Sequence, residues 1–133
     1  MYARRTTLLL VAIAAACRTP HEASSDPRRA IRCDTMIHFG LSVEVHDALT
    51  GAWIADSAVV LAQMAASIDT LTPGAVSFDG TLRERRGVSR PGVYDLEVRR
   101  AGYKSWHVSA VEVKTGRCGI ISTSLRAFLL PDH

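Results

Sequence analysis

The side chains able to do chemistry are few, and their spacing argues against most of what they could do. Five histidines are spread over 133 residues, as His21, His38, His46, His107 and His133. His38, His46 and His107 fall on separate strand-like segments, and His46 sits on the polar parity of its segment. A solvated surface residue is the expected state there, rather than a base or a ligand. Serines and carboxylates show neither Gly-x-Ser-x-Gly nor a paired-acid spacing. The expectation is therefore a protein that is not an enzyme and takes no metal and no cofactor. Two groups suit binding instead. Arg83, Arg85, Arg86 and Arg90 lie on or beside a predicted loop, where they could meet lipid phosphate, lipopolysaccharide or an acidic partner. The same residues also read as a solvated hairpin base partly offset by Glu84. Trp53 follows a turn at Gly51, and an exposed indole is a platform for sugar rings, whereas Trp106 alternates with Val108 and reads as core.

The first residues of the chain give an expectation of where these groups act. Arg4 and Arg5 precede nine unbroken apolar residues, Leu8 to Ala16, with the small residues Ala14-Ala15-Ala16 just before Cys17. Nine is too short for a spanning helix, which needs roughly 20 residues. Leu-Leu-Leu-Val-Ala-Ile-Ala-Ala-Ala-Cys resembles the lipobox of bacterial lipoproteins, although Ala14 stands where that motif more often has Leu. The resemblance implies a signal peptide over 1–16 and a diacylglycerol carried by the Cys17 thiol. A plain secretory leader cut after Ala16 is the alternative. Each buried acyl methylene contributes about 0.8 kcal/mol, so two or three chains suffice for stable anchoring. Residues 17–36, rich in Pro, Ser and charge, read as the lipidated cysteine and a flexible tether. Arg18 after the cysteine resembles lipoproteins passed to the outer membrane of the bacterial envelope.

Charge and cysteines follow from that reading. The formal charge of +3 includes Arg4 and Arg5, and without them 14 basic residues face 13 acidic ones. No basic stripe interleaved with aromatics remains, so nucleic acid is not an expected partner. With Cys17 acylated, Cys33 and Cys118 are left as an exported pair, for which a disulfide is expected. Two buried thiols or a metal pair are the alternatives, and neither cysteine has a His or Cys at ligand spacing.

The elements that must position these groups read as strands. Phe39, Leu41, Val43 and Val45 alternate with polar residues, and Asp47-Ala-Leu-Thr-Gly51 turns the chain. Ala58 to Ala65 reads as a strand by its Val-Val-Leu centre. Ser67 to Gly92 is polar and turn-rich, with Asp79-Gly80 predicting a type I′ hairpin between Val76–Phe78 and Thr81–Arg83. Three consecutive antiparallel strands follow, at 93–100, 104–113 and 117–130. In the second of them the apolar phase slips near Ser109-Ala110, which predicts a bulge. About seven short strands without a long helix predict an all-β, antiparallel Greek-key-type sandwich over 37–131.

Val43-Glu-Val-His-Asp-Ala-Leu-Thr-Gly51, Gly92-Val-Tyr-Asp-Leu-Glu-Val-Arg-Arg-Ala-Gly-Tyr103 and Val111-Glu-Val-Lys resemble the carboxypeptidase regulatory-like domains of the prealbumin (transthyretin-like) fold. The likeness covers about residues 37–130. It implies a non-catalytic appendage that binds a protein or a glycan, or a structural and adhesive accessory of the envelope. It places Gly51 and Gly102 in turns, with Tyr94 and Tyr103 packing their rings and keeping their hydroxyls wet. The same fold hosts a hydroxyisourate hydrolase with a C-terminal Tyr-Arg-Gly-Ser. This chain ends Phe128-Leu-Leu-Pro-Asp-His133, so none of that enzyme's residues carries over.

Overall fold

The computed structural model describes residues 32–133. The expected leader, Cys17 and the tether up to residue 31 lie outside the described residues. Alternation does what the sequence analysis expects in the first strand, β1 (Leu41–Asp47), where Leu41, Val43 and Val45 are fully buried. Phe39 does not take part and stays partly exposed ahead of the strand. Eight further strands follow: β2 (Val59–Met64), β3 (Ser67–Thr70), β4 (Thr72–Pro73), β5 (Glu84–Gly87), β6 (Gly92–Arg99), β7 (Trp106–Gly116), β8 (Gly119–Ile121) and β9 (Thr123–Leu129). They form two sheets, ordered β4-β5-β1-β9 and β3-β2-β6-β7-β8.

The sheets pack as a β-sandwich whose core is the two inner faces. Leu41, Val43, Val45, Ala127 and Leu129 come from one sheet, and Val60, Ala62, Tyr94, Leu96, Val98 and Val113 from the other. Trp106 packs half-buried against this core, in line with its alternation with Val108. The expected slip in β7 is a register shift against β6. Tyr94 pairs with Val111, but Leu96 pairs with Val108, and the Asp95 carboxylate accepts the Ala110 N–H at 3.1 Å. Ala110 there adopts a left-handed φ of 59°.

Several expectations are corrected. The sandwich is not wholly antiparallel, since β9 runs parallel to β1 from Leu41↔Thr123 to Asp47↔Leu129. The stretch 117–130 is two strands in different sheets. The chain leaves β8 and crosses at Ser122, whose hydroxyl donates to the Phe39 carbonyl, and the Thr123 N–H then bonds the Gly40 carbonyl at 2.8 Å. Ile121 is therefore exposed, whereas Ala127 and Leu129 are buried. Polar Ser67–Gly92 holds three short strands. Its first hairpin turns at Ala65-Ala66, with φ of 52° at Ala65, where no Asn-Gly or Asp-Gly marks it. At Asp79-Gly80 the hairpin exists but is not type I′, because only Gly80 has positive φ. The Gly80 N–H bonds the Ser77 carbonyl, and Asp79 caps the Thr81 N–H.

The tyrosine hydroxyls are bonded rather than wet. Tyr94 is fully buried and its hydroxyl donates to the Arg90 carbonyl at 2.8 Å, four residues upstream. This is the geometry of a tyrosine corner, which ties a loop to the strand that follows it. Tyr103 donates to Asp47 Oδ2 at 2.8 Å. The Cys33–Cys118 disulfide is present, with the Cα atoms 5.2 Å apart, and joins the segment ahead of β1 to the β7–β8 turn.

Candidate functional site

The site begins with the turn that ends β1. Asp47 is buried, and its Oδ1 accepts the N–H groups of Leu49 (2.7 Å) and Thr50 (2.9 Å) while Tyr103 bonds Oδ2. The Thr50 backbone N–H first, then the Tyr103 hydroxyl and the Leu49 N–H, hold this carboxyl below the usual aspartate range. The same bond raises the Tyr103 hydroxyl above its usual value. Gly51, at φ 73°, completes the reversal. The chain then runs back along the end of β1, with the Ile54 N–H on the Val45 carbonyl at 2.9 Å and Trp53 bridged to His46.

That return path corrects the expectation for His46. Its parity is polar, as the sequence analysis has it, but Trp53 covers it, so it is 9% exposed rather than solvated. Its ring lies 4.1 Å from Trp53 and stacks on Phe128 at 5.1 Å. Arg83 completes the row, with its guanidinium carbon 5.2 Å from the Trp53 centroid. Parallel pairing explains Phe128, since register places it beside His46, with Arg126 beside Glu44. His46 Nδ1 lies 3.2 Å from the Gly51 carbonyl and Nε2 3.2 Å from Glu44, and Arg126 Nε donates to the same Glu44 oxygen at 3.0 Å. Arg83, Trp53, His46 and Phe128 thus form a continuous cation–aromatic row beside the Glu44–Arg126 pair.

The four expected arginines do not make one cluster. They lie on a strand and its flanks, where successive side chains leave opposite faces. Arg85 is spent on the backbone, donating to the carbonyls of Ala55 (3.0 Å) and Asp56 (2.7 Å). Arg86 pairs with Glu84, which also accepts from the Ser42 hydroxyl and the Ala75 N–H. Burial alone would raise the Glu84 carboxyl, but the bonds from Ser42, Ala75 and Arg86 outweigh it and hold it below its usual value. The Arg90 side chain is exposed and lines, with Arg86, a separate groove of about 280 Å³. Of the four, Arg83 meets Trp53.

What the row offers outward is aromatic and cationic. Phe128 is about half-exposed at 48%, and Phe78, at the hairpin tip, is fully exposed. Phe78 and Arg83 line a shallow groove of about 210 Å³ with Val76 and Ser77. Among the described residues no group of three or more His, Cys, Asp or Glu is placed to hold a metal ion. Strand alternation could have flagged Phe128 as outward-facing, but nothing local in the sequence joins it to His46. No protein-family model matches the chain, and no curated protein is a detectable relative of it.

Proposed function

We propose that residues 32–133 are a non-catalytic recognition module of a bacterial cell envelope, anchored through lipid on Cys17 and binding a protein or glycan through the Arg83–Trp53–His46–Phe128 face. The observation that carries this reading is the position of that row. It lies at the end of β1 remote from the disulfide and from Arg32, where the preceding chain joins. The seven-residue β1 runs from one pole to the other, about 20 Å at the usual rise. An anchored module would present this end outward. Exposed aromatics with arginine are the side chains that dominate binding energy in protein interfaces. His46 and Arg83 already pack against the Trp53 ring, so direct contact falls chiefly to Phe78 and Phe128. A protein partner, which buries whole aromatic side chains, suits this arrangement better than a sugar ring stacked on Trp53.

Two further points support the reading. A disulfide belongs to an oxidising, exported compartment. The sandwich architecture is also what the resemblance to carboxypeptidase regulatory-like domains implies. Arg18 favours the outer membrane. The test is affinity capture from envelope extract with Cys17→Ser protein, against Phe78→Ala and Phe128→Ala variants that keep the parent fold. A partner retained by the parent and lost by both variants supports recognition through this face. Capture that ignores both substitutions, or nothing retained above a control domain, would instead favour a structural accessory of the envelope.

A further inference from the structure

The opposite pole carries a different surface. Met36, Ile37 and Ile121 are 72%, 83% and 53% exposed. Two grooves meet there, with His38 lining both. One, of about 440 Å³, surrounds the disulfide between Ile121, Arg32 and Arg117. The other, of about 320 Å³, runs past Met36, Ile37 and Phe39. The Asp34 carboxylate lies 2.7 Å from the His38 ring, and the ion pairs among the described residues include neither Arg32 nor Arg117. Apolar side chains beside two guanidinium groups that outnumber the one carboxylate lining their groove, Asp34, are the chemistry of an interfacial membrane contact, in which aliphatic groups enter the acyl boundary and cations meet phosphates.

We propose that this pole rests on an anionic lipid surface, with Met36, Ile37 and Ile121 at the headgroup boundary and Arg32 and Arg117 on lipid phosphates. The covalent chain favours that occupant. Arg32 is fifteen residues beyond Cys17, a span that cannot exceed about 50 Å even fully extended. An acyl chain that keeps the pole within that radius raises its occupancy of the lipid surface above what the untethered protein reaches. Contact here also orients the aromatic–arginine face away from the membrane. The inference takes lipid anchoring at Cys17 as its setting. Its test needs no acyl chain, so it fails separately from acylation, which the intact mass of membrane-extracted protein reads.

The experiment is co-sedimentation of the oxidised chain from residue 17, carrying Cys17→Ser, with phosphatidylcholine vesicles with and without phosphatidylglycerol. Arg18, Arg28 and Arg29 are common to every variant, so differences report the pole itself. Partitioning should require phosphatidylglycerol and weaken with salt. It should fall about fivefold in Arg117→Gln, the worth of one cation at such a surface, and about tenfold in Ile37→Asp. Phe78→Ala, at the far pole, should match the parent, and circular dichroism should show every variant folded. Absence of partitioning, or parent-like partitioning by folded Ile37→Asp, overturns the proposal. So does a parent dimer that Ile37→Asp dissociates while vesicles are ignored, which would assign the pole to a second copy.

Discussion

Replacing Cys33 and Cys118 together by Ala tests how this small sandwich is stabilised. The two cysteines are 85 positions apart, so the bond closes a loop of 86 residues, nearly the whole folded unit. In the chain-entropy model that loop removes about 15 cal/mol/K from the unfolded ensemble, or about 4.5 kcal/mol at 25 °C. The native state should lose little. Cys33 lies in a segment outside either sheet, Cys118 lies in a turn, and neither belongs to the core. With roughly 100 ordered residues and an unfolding entropy of about 2.1 cal/mol/K each, the midpoint should drop by about 20 °C. The assay is thermal and urea unfolding of oxidised parent and double variant. The native circular dichroism should coincide, and the variant's urea dependence should be steeper because its unfolded chain is less compact. Coincident unfolding midpoints would refute the reasoning. A large loss with altered native spectra would place the effect in the folded state instead.

Three other outcomes follow from the geometry. Tyr94→Phe deletes a buried hydroxyl that bonds the Arg90 carbonyl, and urea unfolding should show a loss of about 1 kcal/mol; no loss would mean the corner is not an anchor. A Cβ on Gly51 meets no atom within 4 Å, so Gly51→Ala should cost about 1 kcal/mol purely through its φ of 73°, and a neutral result would remove that account of the turn. Asp47 is held below its ordinary value of 3.8, so its contribution is full above that value and is lost as pH falls through the lowered folded value. Wild type should therefore lose more stability than Asp47→Asn between about pH 5 and about pH 3, and parallel acid profiles would contradict it.

The strands that could be read in advance are those with one wet and one dry face. In β1 and β6 the buried apolar residues recur at every second position, and in β7 the phase slip itself marks the bulge. β3, β4 and β5 could not be read, because Ile68, Thr72 and Glu84–Gly87 carry too little apolar signal. They are held as strands by their neighbours' backbone. The candidate site fared similarly. Residue type alone marks Trp53 and Arg83 as suited to binding, but Arg85 and Arg86 share with Arg83 only proximity in sequence. Strand geometry then sends them to backbone carbonyls and to Glu84.

By itself the sequence determined what is local. Period-two burial and the Asp47–Gly51 turn follow from residue type and short spacing, and the expectation of a Cys33–Cys118 bond follows from the cysteine count alone. The tertiary structure decided what depends on pairing over long separations. The parallel register of β1 and β9 brings Phe128 to His46, and the return of residues 52–54 covers that histidine with Trp53. Side-chain alternation states which face a residue takes, but not which strand lies beside it or what later segment closes over it. The candidate site exists only in those choices, since its four members lie between positions 46 and 128 and are brought together by strand pairing and side-chain packing.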